Sequence, residues 1–284
     1  MSSIIGGVFT SHVPGIGSAI ARGLQQDPYW KPFFDGFAPV HRWLAEKKPD
    51  VAVVFYNDHG LNFFLDAMPT FAIGAAPEYR HEDEGWGISF ARPFKGYPEL
   101  SWHVIEEVVE SEFDPVMCQK MVVDHAVAVP YELLWPGEEE FSTRLVPIAI
   151  NTVQHPLPSP KRCRDLGLAV GRALRSWEGD ETIVVLGTGG LSHQLEGKRA
   201  GHLNVDYDRF CLDNLVGNPD ALLQHSTLEI VELAGSQGVE ILNWIAARAA
   251  LGDDLREISR NYHVPISNTA AATMLVECRE LVSA

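Results

Sequence analysis

Basic residues are scarce. The 284-residue chain carries 22 Lys and Arg against 38 Asp and Glu, a formal net charge of −16, with no run of Lys or Arg. A polyanion is repelled over most of such a surface, which argues against nucleic acid and anionic membranes as partners. A small anion would bind only where a metal ion or a helix N-terminus reverses the field locally. Cysteine is sparse too. Cys118, Cys163, Cys211 and Cys278 form no CxxC pair and carry no zinc-finger spacing. A chain of this length needs no disulfide staples, so reduced thiols in a cytoplasm are the simplest reading. No stretch approaches the ~20 apolar residues of a membrane span. Met1-Ser2-Ser3 passes straight into the apolar Ile4–Phe9 without a basic n-region, so no signal peptide is read. The expectation is a soluble, cytoplasmic protein.

What is present is ordinary globular composition, 46% hydrophobic and 21% charged, enough for a sizeable core. Four short β-branched runs, Ile4–Phe9, Val51–Tyr56, Leu145–Ile150 and Ile183–Gly187, read as buried strands. Helical spacing lies between them, in Phe33, Phe37, Val40 and Leu44 and again in Leu166, Val170, Ala173 and Trp177. Alternating strands and helices predict an α/β fold of three layers, α/β/α, around a largely parallel or mixed sheet. Additional C-terminal helices are expected near 206–216, 226–234 and 238–251, with a last one from about Asn268. Residues 61–100 lack periodicity and are rich in Pro, Gly and aromatics. They read as an insertion in a single domain over 1–284, one that covers a site or meets a partner. Gly187–Gly190 has neither GxGxxG spacing nor a Walker Lys-Ser/Thr, so it is not read as a nucleotide loop.

The histidines carry the chemistry. His12 follows the first strand, His59 the second, and His193 the run Ile183–Gly187. In an open α/β sheet ligands gather at the carboxyl ends of parallel strands, so these three converge on one crevice. A single histidine after a strand is usually just a hydrogen-bonded loop residue; three at equivalent positions are harder to dismiss. His41, His103, His155, His202 and His225 are assigned structural roles. His81-Glu82-Asp83-Glu84 reads as a solvated acidic loop, because adjacent residues cannot all face one ion. Glu240 opens a helix and shares a stripe with Asn243, Trp244 and Ala247, where an unpaired carboxylate would be costly; charge at a helix N-terminus explains it equally well. Two imidazoles and a carboxylate with open positions suit a non-haem Fe(II) oxygenase. They also suit catalytic zinc, so a zinc hydrolase is the rival.

These residues sit in motifs that together resemble a family. Gly6-Gly7-Val8-Phe9-Thr10-Ser11-His12-Val13-Pro14, Tyr56-Asn57-Asp58-His59, Gly187–His193, Gly238-Val239-Glu240 and Tyr262–Ala271 are similar to the LigB-type class III extradiol ring-cleavage dioxygenases, above all to catalytic beta subunits of the protocatechuate 4,5-dioxygenase type. The resemblance implies that Fe(II) is held by His12, His59 and Glu240, and that His193 is the base that accepts a proton from a bound catechol. It implies His125 as a second active-site histidine, although behind Asp124 it also reads as a first-turn helix residue. Asn57 is implied as a pocket-lining group, and Ser267 and Asn268 as the stretch that receives a substrate carboxylate. Asn268 is independently a good N-cap, and free amides at a helix start bind anions. The implied reaction opens a carboxylated catechol such as protocatechuate, or a relative such as gallate, with O2 to a semialdehyde acid. A non-catalytic scaffold of the same fold would have lost at least one of these groups, and all are present. Single-chain gallate-type relatives carry a C-terminal extension, so a chain ending at Ala284 is expected to work with a separate small alpha subunit.

Overall fold

Val51–Tyr56 is buried at every residue, as a strand must be when helices cover both faces of its sheet. The computed structural model describes residues 2–88, 90 and 92–279. Its strands are β1 (Ser3–Thr10), β2 (Val51–Tyr56), β3 (Phe71–Gly74), β4 (Glu78–Tyr79), β5 (Phe94–Lys95), β6 (Val116–Cys118), β7 (Arg144–Ile150), β8 (Thr182–Thr188), β9 (Leu255–Ile266) and β10 (Thr269–Cys278). The helices are α1 (Pro14–Ala21), α2 (Lys31–Asp35), α3 (Ala38–Lys47), α4 (Pro98–Glu110), α5 (His125–Leu134), α6 (Pro160–Ser176), α7 (Val205–Asn214), α8 (Thr227–Ala234) and α9 (Ile241–Leu251).

Eight strands form one mixed sheet in the order β6-β3-β7-β2-β8-β1-β10-β9, with β4 and β5 in a separate ribbon. The central β7, β2, β8 and β1 are parallel; β3 and β10 flank them antiparallel. Side chains of β2 alternate between two cores. Val51, Val53 and Phe55 pack with Leu100 and Val104 of α4, Leu166 and Val170 of α6, and Ala247 of α9. Ala52, Val54 and Tyr56 pack with Ile16 of α1, Val40 and Leu44 of α3, and Val127 of α5. Each fully buried Val or Phe contributes roughly 1.5–3 kcal/mol. The expected three-layer α/β/α architecture is therefore present, as are the predicted strands and helices near 206–216, 226–234 and 238–251.

Two readings need correction. The helix expected from Asn268 is the strand β10, whose pairing partners are β1 and β9. Thr-Ala-Ala-Ala-Thr-Met-Leu-Val is locally compatible with helix, but the open edge of β1 offers it a ladder, and tertiary pairing overrides local propensity. Ser267 and Asn268 form the exposed hairpin turn, Ser267 with φ +54°, and no helix N-terminus exists there to receive an anion. Residues 61–100 are likewise more than an insertion. Within them β3 pairs with β7 and β6 as part of the main sheet, while β4 and β5 form a ribbon apart from it. All four cysteines are free thiols. Among the described residues, no helix is long and apolar enough to cross a membrane.

Candidate active site

The register of the parallel strands brings the histidines together. Thr10 pairs with Thr188 and Phe55 with Gly187, so β1, β2 and β8 end at one edge. His12, His59 and His193 leave from that edge into a crevice of about 350 Å³, which His125, Glu240, Trp86 and Ser267 also line. Glu240 arrives from the other side. It ends the 3-10 turn Gly238–Glu240 and leads into α9. Asn243 Nδ2 donates to the Thr188 carbonyl and Trp244 Nε1 to the Gly189 carbonyl, which ties that helix to the end of β8. The shared stripe of Glu240, Asn243, Trp244 and Ala247 is buried throughout.

One oxygen of Glu240, Oε1, lies 3.4 Å from His12 Nε2 and 3.5 Å from His59 Nε2. Two donors ~2.1 Å from one ion and ~110° apart are themselves ~3.4 Å apart, so this spacing suits a shared metal. Ligating imidazoles almost always give their second ring nitrogen to a hydrogen-bond partner. Both histidines do so here. His12 Nδ1 is 3.1 Å from Thr188 Oγ1 and His59 Nδ1 is 2.9 Å from an Asp124 oxygen. The second Glu240 oxygen accepts the Gly190 amide at 2.8 Å. Gly189, with φ +106°, closes against this carboxylate; a Cβ there would lie 2.7 Å from Glu240 Cβ, so glycine is required on both grounds.

The field at this spot favours positive charge. Burial alone lowers the pKa of His59, but the carboxylates of Asp124 and Glu240 outweigh it and raise it to about 10. Burial pushes the Glu240 carboxyl up, yet the imidazoles of His12 and His59 hold it well below the usual carboxylate range. A bound cation would take the place of the His59 imidazolium proton. His193 and His125 behave differently. Burial lowers both, and the neighbouring His59 and His12 add to it against the pull of Glu240. His193 Nδ1 donates to the Leu191 carbonyl at 2.9 Å, so its Nε2 is left without a proton.

The structure also separates residues that the sequence grouped. Asn57 reaches both His59 and Glu240: its Nδ2 lies 3.0 Å from His59 Nε2. It lies buried behind Glu240, its Nδ2 donating to Oε1 at 3.2 Å and its carbonyl accepting from Asn243. Ser267 lines the crevice while its amide is taken by the Tyr29 hydroxyl; Asn268 is on the exposed hairpin tip. His41, His103 and His202 bond backbone carbonyls elsewhere. The acidic loop needs revision: Glu82 and Asp83 are exposed, but Glu84 turns inward against His125 Nδ1. Sequence reasoning missed Asp124 as a partner of His59. It caps α5 through Ala126 N and, with its other oxygen, accepts from both His59 nitrogens facing it. An Asp directly before His125 was the available signal.

The family model for the catalytic LigB subunit of aromatic ring-opening dioxygenase matches residues 6–276. The chain belongs to the LigB family. Among the relatives of this LigB chain is the gallate dioxygenase of Pseudomonas putida, 33% identical over 198 residues, which are 70% of this chain and 58% of that relative. A 2,3-dihydroxyphenylpropionate/2,3-dihydroxicinnamic acid 1,2-dioxygenase from Rhodococcus is 30% identical over 259 residues, 76% of this chain and 80% of the relative. The LigB chain thus spans little more than half the length of the gallate enzyme and most of the second.

Proposed function

We propose that this LigB chain is an extradiol ring-cleavage dioxygenase in which His12, His59 and Glu240 hold Fe(II) and His193 is the base. The observation that carries the reading is the single Glu240 oxygen 3.4 and 3.5 Å from two imidazole nitrogens, each imidazole backed on its far side by Thr188 or Asp124. Bound there, Fe(II) would supply redox-active Lewis-acid chemistry toward a diol and O2. The protein's own part is proton handling and exclusion of water. His193 stays neutral because it is buried, presents Nε2 to the crevice, and accepts a phenolic proton there. His125, also neutral, lines the same crevice and holds a second substrate hydroxyl.

The substrate class is a carboxylated catechol of the protocatechuate or gallate kind. None of the described residues lining the crevice is Lys or Arg, so its carboxylate is received by neutral donors, Ser267 foremost, with Ser18 and Gln237 nearby. A separate small alpha subunit completes the site. Phe64, Leu65 and Val153 are exposed around a groove that reaches His59, an apolar rim suited to a covering partner; co-purification of a second polypeptide that raises turnover checks this. The cytoplasm, with its reduced thiols and soluble aromatic acids, is the proposed location.

The test is anaerobic loading with Fe(II) or Zn(II), followed by O2 uptake with carboxylated and uncarboxylated catechols. Uptake with stoichiometric ring-opened product is expected for the iron form alone. An iron-loaded protein that consumes no O2 with any catechol, while the zinc form hydrolyses esters or amides, would replace this reading with the hydrolase.

A further inference from the structure

The geometry points to Glu84 as a positioning residue that fixes the orientation and tautomer of His125. The carboxylate comes from the stretch between β4 and β5, far in sequence from α5, and meets His125 Nδ1 directly. Its side chain is 7% exposed and that of His125 3%. Both carboxylate oxygens and His125 Nδ1 are sealed from solvent and make no hydrogen bond to any other described residue, so this close charge contact is what each faces. A buried carboxylate without a partner is costly, and one that faces an imidazole N–H is relieved by accepting its hydrogen bond.

The loop is built to deliver this contact. On one side of Glu84, Glu82 N donates to the Val123 carbonyl and Val123 N to the Arg80 carbonyl, tying the loop to the strand of chain that leads into Asp124 and His125. On the other, the Asp83 carboxylate accepts the amides of Trp86, Gly87 and Ile88 and closes a tight turn, whose Ile88 is buried. Glu84 is therefore held between two clamps. With Nδ1–H directed at Glu84, His125 turns Nε2 and its lone pair toward the crevice, as an acceptor for a substrate hydroxyl.

A histidine whose second nitrogen is unheld can rotate or change tautomer; a carboxylate behind it removes that freedom. The assignment deepens the ring-cleavage reading, but its decisive measurement needs no turnover. ¹⁵N-histidine NMR of the zinc-loaded, diamagnetic protein should give His125 protonated at Nδ1. Glu84→Ala should populate the Nε2–H form, and Glu84→Gln, which keeps an acceptor oxygen, should restore Nδ1–H with its proton shifted upfield. Metal content should match wild type in both variants. In the iron enzyme, kcat/KM should fall about 10- to 100-fold in Glu84→Ala, the range for losing a group that orients a site imidazole, mostly through kcat, with partial recovery in Glu84→Gln.

An unchanged tautomer in Glu84→Ala overturns the assignment. So does loss of metal, since Glu84 also lies within 4.8 Å of the ligand atoms of His59, Asp124 and His125 and would then be a ligand. Should Glu84→Ala not fold, an unmoved Nδ1 proton in Glu84→Gln overturns it equally. Failure of every catechol to react would count against ring cleavage, while the tautomer of His125 would still decide the role of Glu84.

Discussion

Replacing Asp124 by asparagine changes one atom at the point where the helix cap, the His59 ring and the metal field meet. One Asp124 oxygen accepts Ala126 N at 2.9 Å; the other accepts His59 N at 2.7 Å and faces His59 Nδ1 at 2.9 Å. Asparagine has a single carbonyl oxygen. If that oxygen keeps the cap, which Asn serves as well as Asp, the amide N–H groups face the two His59 donors. Relief comes when His59 Nδ1 gives up its proton and Nε2 takes it, and a protonated Nε2 is no longer a ligand. Losing a charge-assisted bond costs about 1.5–3 kcal/mol, and outer partners of metal-binding histidines typically contribute 10- to 100-fold in affinity. Fe(II) affinity is therefore expected to fall about 10- to 100-fold, with α5 intact. Anaerobic competition against a chromophoric chelator measures it, and far-UV circular dichroism checks the helix. Wild-type affinity in Asp124→Asn would refute the reasoning, as would a loss seen only in Asp124→Ala, because the cap alone would then account for it.

Three further outcomes arise from the same geometry. His193→Ala should retain its iron and lose most turnover; iron loss measured by metal analysis would make His193 a ligand instead. Gly189→Ala would put a Cβ 2.7 Å from Glu240 Cβ at φ +106°, so the carboxylate must move. Backbone strain of about 1–3 kcal/mol should lower Tm, and metal should be lost on dialysis; full metal retention would show that the loop yields instead. The raised pKa of His59, about 10, against an ordinary value near 6.5, stabilises the metal-free protein fully below about pH 6.5 and is lost as pH rises toward 10. A metal replaces that proton, so the Tm gain on metal loading should widen between about pH 6 and pH 9; a gain that narrows with pH would contradict the assignment.

The central strands were legible because a strand buried on both faces has to be a continuous β-branched run, as β2 is. The positions of His12, His59 and His193 were legible for a related reason: parallel strands deliver the residues just after them to one edge. The polar edge strand β9, with exposed residues such as Arg256, Glu257 and Ile258, left no such run. The conformation of Thr269–Cys278 was decided by the open edge of β1, whose ladder overrides the helical preference of its alanines. Asn57 is held against His59 and Glu240 because Asn243, on a helix 186 residues away, takes its side-chain carbonyl.

By itself, then, the sequence determined the layered α/β architecture and the donor types that meet at one end of the sheet, because hydrophobic period and strand-end position are local properties. Only the tertiary structure decided which second nitrogen each imidazole offers, that Asp124 stands behind His59, and that Glu84 alone of its acidic run turns inward. Those depend on contacts between segments tens to hundreds of residues apart, where burial makes every unpartnered charge costly and so selects one arrangement.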